Sequence, residues 1–365
     1  MNDRPPSKIR FELFEGRTDP DQREWEAPAW GSALSKMVLP LFITSGDRYI
    51  PIGTAFWVGR KVSFVMTAMH NVHEALRHEG RYDRELASGR LPPHLDLKTA
   101  GLCVLHQDEV TTENVRFTLT PLENLHGAPP TDVVVGYPSF VPDRATASLP
   151  LSFDVPRVGQ TVWSLGYTDF EPVSGISIEA VRSGAFDWRT EYRHRLMVTE
   201  GRVDRIFTQR FATGFGDGPC FSFDNEIAHG QSGGPVVTDD GRIVGLNSSG
   251  AARFFNRPAS VAALLHPLVL TPVKFGVKLG PLILGREARL IDLIFEGAIA
   301  SDGSEQALGF TQEEPGGPVA ISGRALVEDR PFVHDDFAGY QAARSATRLE
   351  GPSFRLVPQP DKDVG

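Results

Sequence analysis

Short runs rich in valine, isoleucine, phenylalanine and threonine recur along most of this chain, separated by turn-forming residues, and few extend into a stretch with helical period. That pattern narrows the possible folds more than any other feature. KMVLPLFI (36–43), GTAFWVG (53–59) and KVSFVMTAM (61–69) are bounded by Ser45-Gly46-Asp47 and Gly59-Arg60, and predict antiparallel strands joined by tight turns. Further strands are predicted at CVLH (103–106), VRFTL (115–119), DVVVG (132–136), TVWSLGY (161–167), ISIEAV (176–181), RLMVTEGRV (195–203), PVVT (235–238) and RIVGLN (242–247). Strands at this spacing predict an all-β barrel or sandwich and disfavour a parallel α/β sheet.

The remaining segments read differently. Residues 1–30 form a polar, proline-containing arm; residues 73–100 are charge-dense and predict a short helix followed by a surface insertion. SVAALLHPLVL (260–270) fits a helix or a strand, EARLIDLIFEGA (287–298) has apolar residues at helical spacing, and 299–325 reads as linker or loop. The 365 residues carry a net charge of −9, which disfavours a partner held through phosphate contacts, so no nucleic acid is expected. The N-terminus lacks the apolar run of a secretory signal, and LLHPLVLTPV (264–273) is too short to span a bilayer. No membrane association is therefore expected, and two cysteines, Cys103 and Cys220, suit a reduced, cytoplasmic setting as buried thiols.

The most specific segment is HGQSGGPVV (229–237). A serine between Gly230, Gly233 and Gly234 sits where the backbone must turn sharply, with its hydroxyl open and its N–H free to meet a substrate oxygen. The same letters also make an ordinary glycine-rich surface turn. They satisfy the nucleophile-elbow pattern of α/β-hydrolases too, but that elbow leads into a helix, whereas Pro235 and a hairpin signal at Asp240-Gly241 follow here. A serine nucleophile needs a base, and the base needs an acid to hold its tautomer. His70, closing the run VSFVMTAMH, and Asp132, opening a run of valines, are the candidates, although each alone also reads as a structural or turn residue.

Taken together, TAMH (67–70), TDVVV (131–135) and GQSGGP (230–235) resemble the trypsin-like, chymotrypsin-fold serine peptidases, in that family's order of His, Asp and Ser. The intervals of 62 and 100 residues leave room for two barrels. GTAFWVG, VGQTVWSLGY (158–167), VTEGRVDRIF (198–207) and IVGLNSSG (243–250) extend the likeness over about 35–265. The resemblance implies two antiparallel six-stranded β-barrels at about 31–150 and 151–270, with a C-terminal extension, 271–365, of uncertain structure and role. It further implies a serine endopeptidase acting on protein or peptide substrates without cofactor or metal. His70, Asp132 and Ser232 would be the triad, and Gly230 and Ser232 the oxyanion donors. Ser248, Ser249 and Gly250 would pair with the substrate, Asn247 would face the pocket, and Glu226, six residues before the serine, would favour Arg or Lys before the cut. Where the digestive enzymes carry an aspartate before the serine this chain has Gln231, so activation by N-terminal cleavage is not expected; this and the lack of disulfides bring it nearer the HtrA-like and bacterial glutamyl-peptidase branches.

A rival reading keeps the fold but makes the chain a latent or inactive binding module regulated by an activating partner protein. His70-x-x-His73-Glu74 matches no zinc signature, and GFGDG (214–218) lacks nucleotide-binding spacing.

Overall fold

The computed structural model describes residues 19, 21–60, 62–87, 95–110, 115–127, 131–139, 148–207, 210–212, 215–251, 257–279, 282–312, 319–323 and 354–358. The first part of the N-terminal arm, part of the 73–100 insertion and most of 324–365 lie outside them.

The predicted runs form two closed barrels. In the first, β2 (Val38–Ser45), β3 (Arg48–Val58), β4 (Phe64–Thr67), β5 (Leu95–Val110), β6 (Val115–Gly127) and β7 (Val134–Pro138) pair antiparallel in the order β2-β5-β6-β7-β4-β3, and a β2–β3 ladder closes the ring. The second takes β8 (Thr161–Glu171), β10 (Arg193–Phe207), β13 (Cys220–Phe223), β14 (Pro235–Thr238), β15 (Ile243–Gly250) and β16 (Ser260–Leu264) in the order β10-β13-β16-β15-β14-β8, closed by β8 on β10. This is the chymotrypsin-like architecture of two six-stranded barrels. A small hairpin of β11 (Arg210–Ala212) and β12 (Phe215–Asp217) projects before β13.

The runs at 38–43, 55–58, 64–66 and 133–135 are continuously apolar because both faces are buried there. Successive side chains point to opposite faces. Leu39, Leu41, Ile43, Ala55, Trp57, Val65 and Val134 fill the barrel, while Val38, Phe56, Val58, Phe64, Met66, Val133 and Val135 turn outward into the larger core shared with the second barrel.

Several boundaries differ from expectation. Within the arm, β1 (Glu24–Ala27) pairs with β10 and buries Trp25 and Ala27, so those residues belong to the second barrel's sheet. The run at 176–181 is only briefly extended as β9 (Ile176–Ser177); Ser177 then caps a helix by accepting from the Ala180 N–H. Lys36 and Met37 end a short helix, α1 (Ala33–Met37). The 73–100 insertion holds most of α2 (Met69–His78), then α3 (Tyr82–Ala87) and the start of β5. Residues 260–264 are strand.

The extension does not begin a separate unit at 271. β17 (Pro272–Leu279) and β18 (Leu282–Arg289) form a hairpin, and only Leu290–Phe295 of the predicted helix is helical, because residues 287–289 complete the β18 ladder; α4 (Ile178–Arg182) and α5 (Leu290–Phe295) complete the helices of the barrel region. Phe275 packs edge-on against Phe64 at 5.4 Å, and the Tyr137 hydroxyl donates to Gly276 O at 3.1 Å. Leu290, Ile291, Leu293 and Ile294 enter the shared core, and the Arg60 and Leu151 N–H groups donate to Ala298 O and Ala300 O. Beyond, parts of 299–325 expected as loop are strands, β19 (Gly309–Gln312) and β20 (Val319–Gly323), with β21 (Phe354–Pro358) beside β20. Among the described residues, no helix is long and apolar enough to cross a membrane.

Candidate active site

The proposed site lies where strand ends of the two barrels meet. His70 is in the first turn of α2, just after β4; Asp132 precedes β7; Ser232 lies in the turn entering β14; Ser248 lies on β15. The fold brings His70 and Asp132 together: the ring Nδ1 lies 2.9 and 3.1 Å from the two carboxylate oxygens, and the His70 backbone N–H donates to Asp132 Oδ1 at 3.0 Å. Ser248 Oγ donates to Asp132 Oδ2 at 2.6 Å, and Ser232 Oγ donates to Ser248 O at 3.2 Å, so Ser248 links the acid to the serine.

Burial alone would raise the Asp132 carboxyl, but the charge and hydrogen bonds of His70 and the bond from Ser248 outweigh it and hold the group below the usual carboxylate value. Burial alone would lower His70, yet the Asp132 charge and hydrogen bond, helped by Glu74, raise it above the ordinary 6.5. With Nδ1 donating to an ionised carboxylate, Nε2 is left as an acceptor. One turn on, burial pushes His73 down to about 4, and its ring stands edge-on to Tyr82 at 5.4 Å.

The serine turn depends on its glycines. Gly230 has φ +98° and Gly233 φ +87°, a region that side-chain-bearing residues rarely adopt, and a Cβ on Gly233 would stand 2.2 Å from Thr54 O. Gln231 is buried, its N–H donating to Ala228 O at 3.2 Å while its Oε1 accepts from the Ala228 N–H at 2.6 Å.

One of the predicted substrate-binding residues takes another place, and a second has its side chain engaged elsewhere. Asn247 does not face a pocket: it is fully buried, its amide donating to Leu165 O (3.0 Å) and Gln231 O (3.2 Å) and accepting from Ser164 Oγ (2.8 Å). The Ser248 side chain is given to Asp132. Past Asn247, whose N–H and C=O are bonded to Gly234 O and the Gly233 N–H, β15 pairs with β16 on one side only, so among the described residues Ser248, Ser249 and Gly250 leave one strand edge without a main-chain partner. Glu226 is exposed, and a methyl built on Gly250 would stand 3.2 Å from its Oε1, which places the carboxylate beside that edge. Sequence reading missed Thr54 and Asn71, both buried and both bonded to the serine turn; the available signal was a polar residue inside the apolar run GTAFWV and an asparagine directly after the base.

Residues 53–246 match the model of the trypsin-like peptidase domain. The chain belongs to that family. Solved structures that resemble this trypsin-like chain include the active form of the Rv3671c protease from M. tuberculosis, at 12% identity and TM-score 0.38, covering 68% of this chain and 88% of that one. The MamO protease domain from Magnetospirillum magneticum is similar at 16% identity and TM-score 0.37, covering 63% and 92%. No curated protein matches the chain.

Proposed function

We propose that this trypsin-like protein is a serine endopeptidase. The observation that carries the reading is the carboxylate of Asp132 holding both His70 Nδ1 and, through Ser248, the turn that bears Ser232. Ser232 Oγ, turning from Ser248 O to His70 Nε2, gives that nitrogen its proton as it bonds to the substrate carbonyl carbon. The carbonyl oxygen becomes an oxyanion held by the Gly230 and Ser232 N–H groups. Collapse breaks the C–N bond, and the imidazolium returns the proton to the leaving amine. Water repeats the sequence on the acyl-enzyme and frees Ser232. The substrate lies extended along Ser248–Gly250, and Glu226 beside Gly250 favours Arg or Lys before the cut.

A second reading, a latent or inactive binding module, draws on one observation: Ser232 Oγ is bonded to Ser248 O, and among the described residues His70 Nε2 has no partner. A fluorophosphonate probe on the purified protein separates the two. Covalent labelling of wild type and not of Ser232→Ala supports the peptidase, and absence of labelling under every condition tried supports the module. In the same assay series, Glu226→Gln is expected to lower kcat/KM for Lys- and Arg-containing peptides about tenfold, at the low end of what a hydrogen bond to a charged group contributes. Unchanged preference would remove Glu226 from the pocket. A cytoplasmic setting belongs to this proposal, supported by two buried cysteines that form no disulfide; recovery from a secreted fraction would overturn it.

The raised His70 sets the pH dependence. Only neutral imidazole accepts the serine proton, so kcat/KM should fall as pH drops through the folded-state pKa, with its acid midpoint above 6.5. A midpoint at or below that value would mean that Asp132 does not dominate the surroundings of His70.

A further inference from the structure

Around the serine turn the backbone carbonyls are engaged and two N–H groups are not. Gly230 O accepts from Thr54 Oγ1 at 2.7 Å. Gln231 O accepts from Asn247 Nδ2 at 3.2 Å and from the Gly234 N–H at 3.0 Å. Ser232 O accepts from the Thr54 N–H at 2.9 Å and Asn71 Nδ2 at 3.2 Å. Among the described residues, the Gly230 and Ser232 N–H groups donate to no protein acceptor.

A trans peptide unit is planar, and its C=O and N–H point in opposite directions. Gln231 O and the Ser232 N–H belong to one such unit. Drawing that carbonyl inward onto Asn247 therefore turns the Ser232 N–H outward. Thr54 fixes the preceding unit in the same way, and the N–H of that unit, on Gln231, is taken by Ala228 O. Only the peptide before Gly230 then remains to be set, and the reciprocal Ala228–Gln231 bonds brace the segment that contains it.

The two clamping side chains are themselves held. Thr54 is fully buried; its hydroxyl also accepts from the Tyr167 N–H at 2.8 Å, and its carbonyl accepts from Thr67 Oγ1 at 2.8 Å. Asn247 is oriented by Ser164 and Leu165. Flipping either peptide would strand buried donors without partners, which a low-dielectric interior penalises.

We infer that Thr54 and Asn247 are positioning residues that hold the oxyanion donors ready in the resting chain, so that the anion site forms without an N-terminal ion pair or an activating partner. The inference rests on the serine-peptidase reading.

The test uses the purified full-length chain alone, with fluorophosphonate labelling, steady-state kinetics on a peptide substrate, and inhibition by a peptide aldehyde, whose adduct with the serine carries an oxyanion. Wild type is expected to label with no added protein. Asn247→Asp, which replaces the donor by an acceptor, should lower kcat by about 10²–10³-fold, the effect of losing one oxyanion donor. KM should stay within about twofold and aldehyde affinity should fall by the same factor as kcat, as required for an interaction made only in the transition state. Thr54→Val, which removes only the hydroxyl, should move kcat and aldehyde affinity in parallel and to a smaller extent. Lost folding would instead lower the final labelling stoichiometry while sparing the rate per active molecule. Should Asn247→Asp not fold, Ser164→Ala carries the same comparison by releasing the Asn247 amide. The inference is overturned if wild type labels but the variants match it in kcat and aldehyde affinity, or if wild type labels only after clipping or addition of a partner. A wild type that never labels overturns the peptidase reading and this inference with it.

Discussion

Ser232→Ala is expected to lower kcat by roughly 10⁶-fold, and His70→Ala by about as much, because the serine is a useful nucleophile only while a base can take its proton. The informative experiment is the double variant. If the two side chains act as one unit through the Asp132–His70 bonds, removing both should cost no more than removing either, leaving the slow turnover supported by the oxyanion donors and substrate binding. Single-turnover kinetics on one peptide, with all three variants checked for contaminating protease by pre-treatment with the fluorophosphonate, would read this. Losses that multiply instead would mean that His70 and Ser232 do not share a reaction step. Loss in one single variant only would assign the chemistry elsewhere.

The second large effect concerns stability. Leu293 is fully buried in a core that also contains Phe64 and Met66 of the first barrel and Leu246 and Leu264 of the second. Leu293→Ala should therefore destabilise the protein by about 2–5 kcal/mol, the range for emptying a well-packed leucine site, without altering KM for peptides. A chain ending at residue 270 would expose the faces that Phe275, Leu290 and Ile294 cover, and should fail to give a cooperative unfolding transition. Denaturant unfolding monitored by tryptophan fluorescence would decide it, since Trp57 reports on the first barrel and Trp163 on the second. A truncated chain with the midpoint of the full chain would show the extension to be dispensable.

The barrels were legible because strand period, turn residues and burial all point the same way in this chain. The three proposed triad residues were legible as a pattern because His70 and Asp132 stand where an apolar run meets a polar residue, and Ser232 stands among glycines in the turn before a strand. The extension was not. Its hairpin and helix carry ordinary amphipathic sequence, and nothing local says that the apolar stripe of α5 closes a core shared by the second barrel and by first-barrel strands more than two hundred residues earlier. Asn247 failed for a related reason: on an exposed cleft strand an asparagine reads as a ligand-facing group, whereas Ser164 and Leu165, distant in sequence, turn its amide inward. Thr54 was hidden inside GTAFWV, since a buried threonine in a strand is common and its partner, Gly230 O, lies 176 residues away.

If the proposed peptidase takes its substrate along Ser248–Gly250, the open edge there has a consequence for which targets it would cut. A ladder along that edge recruits the target's own main-chain N–H and C=O groups, and a helix or a paired strand has already committed them. A folded target must first release a few residues from its own hydrogen bonding, so its susceptibility should follow the free energy of that local opening rather than the mere presence of a suitable residue on its surface. Two proteins with the same cleavable sequence would then differ in lifetime according to how firmly each holds that stretch in place.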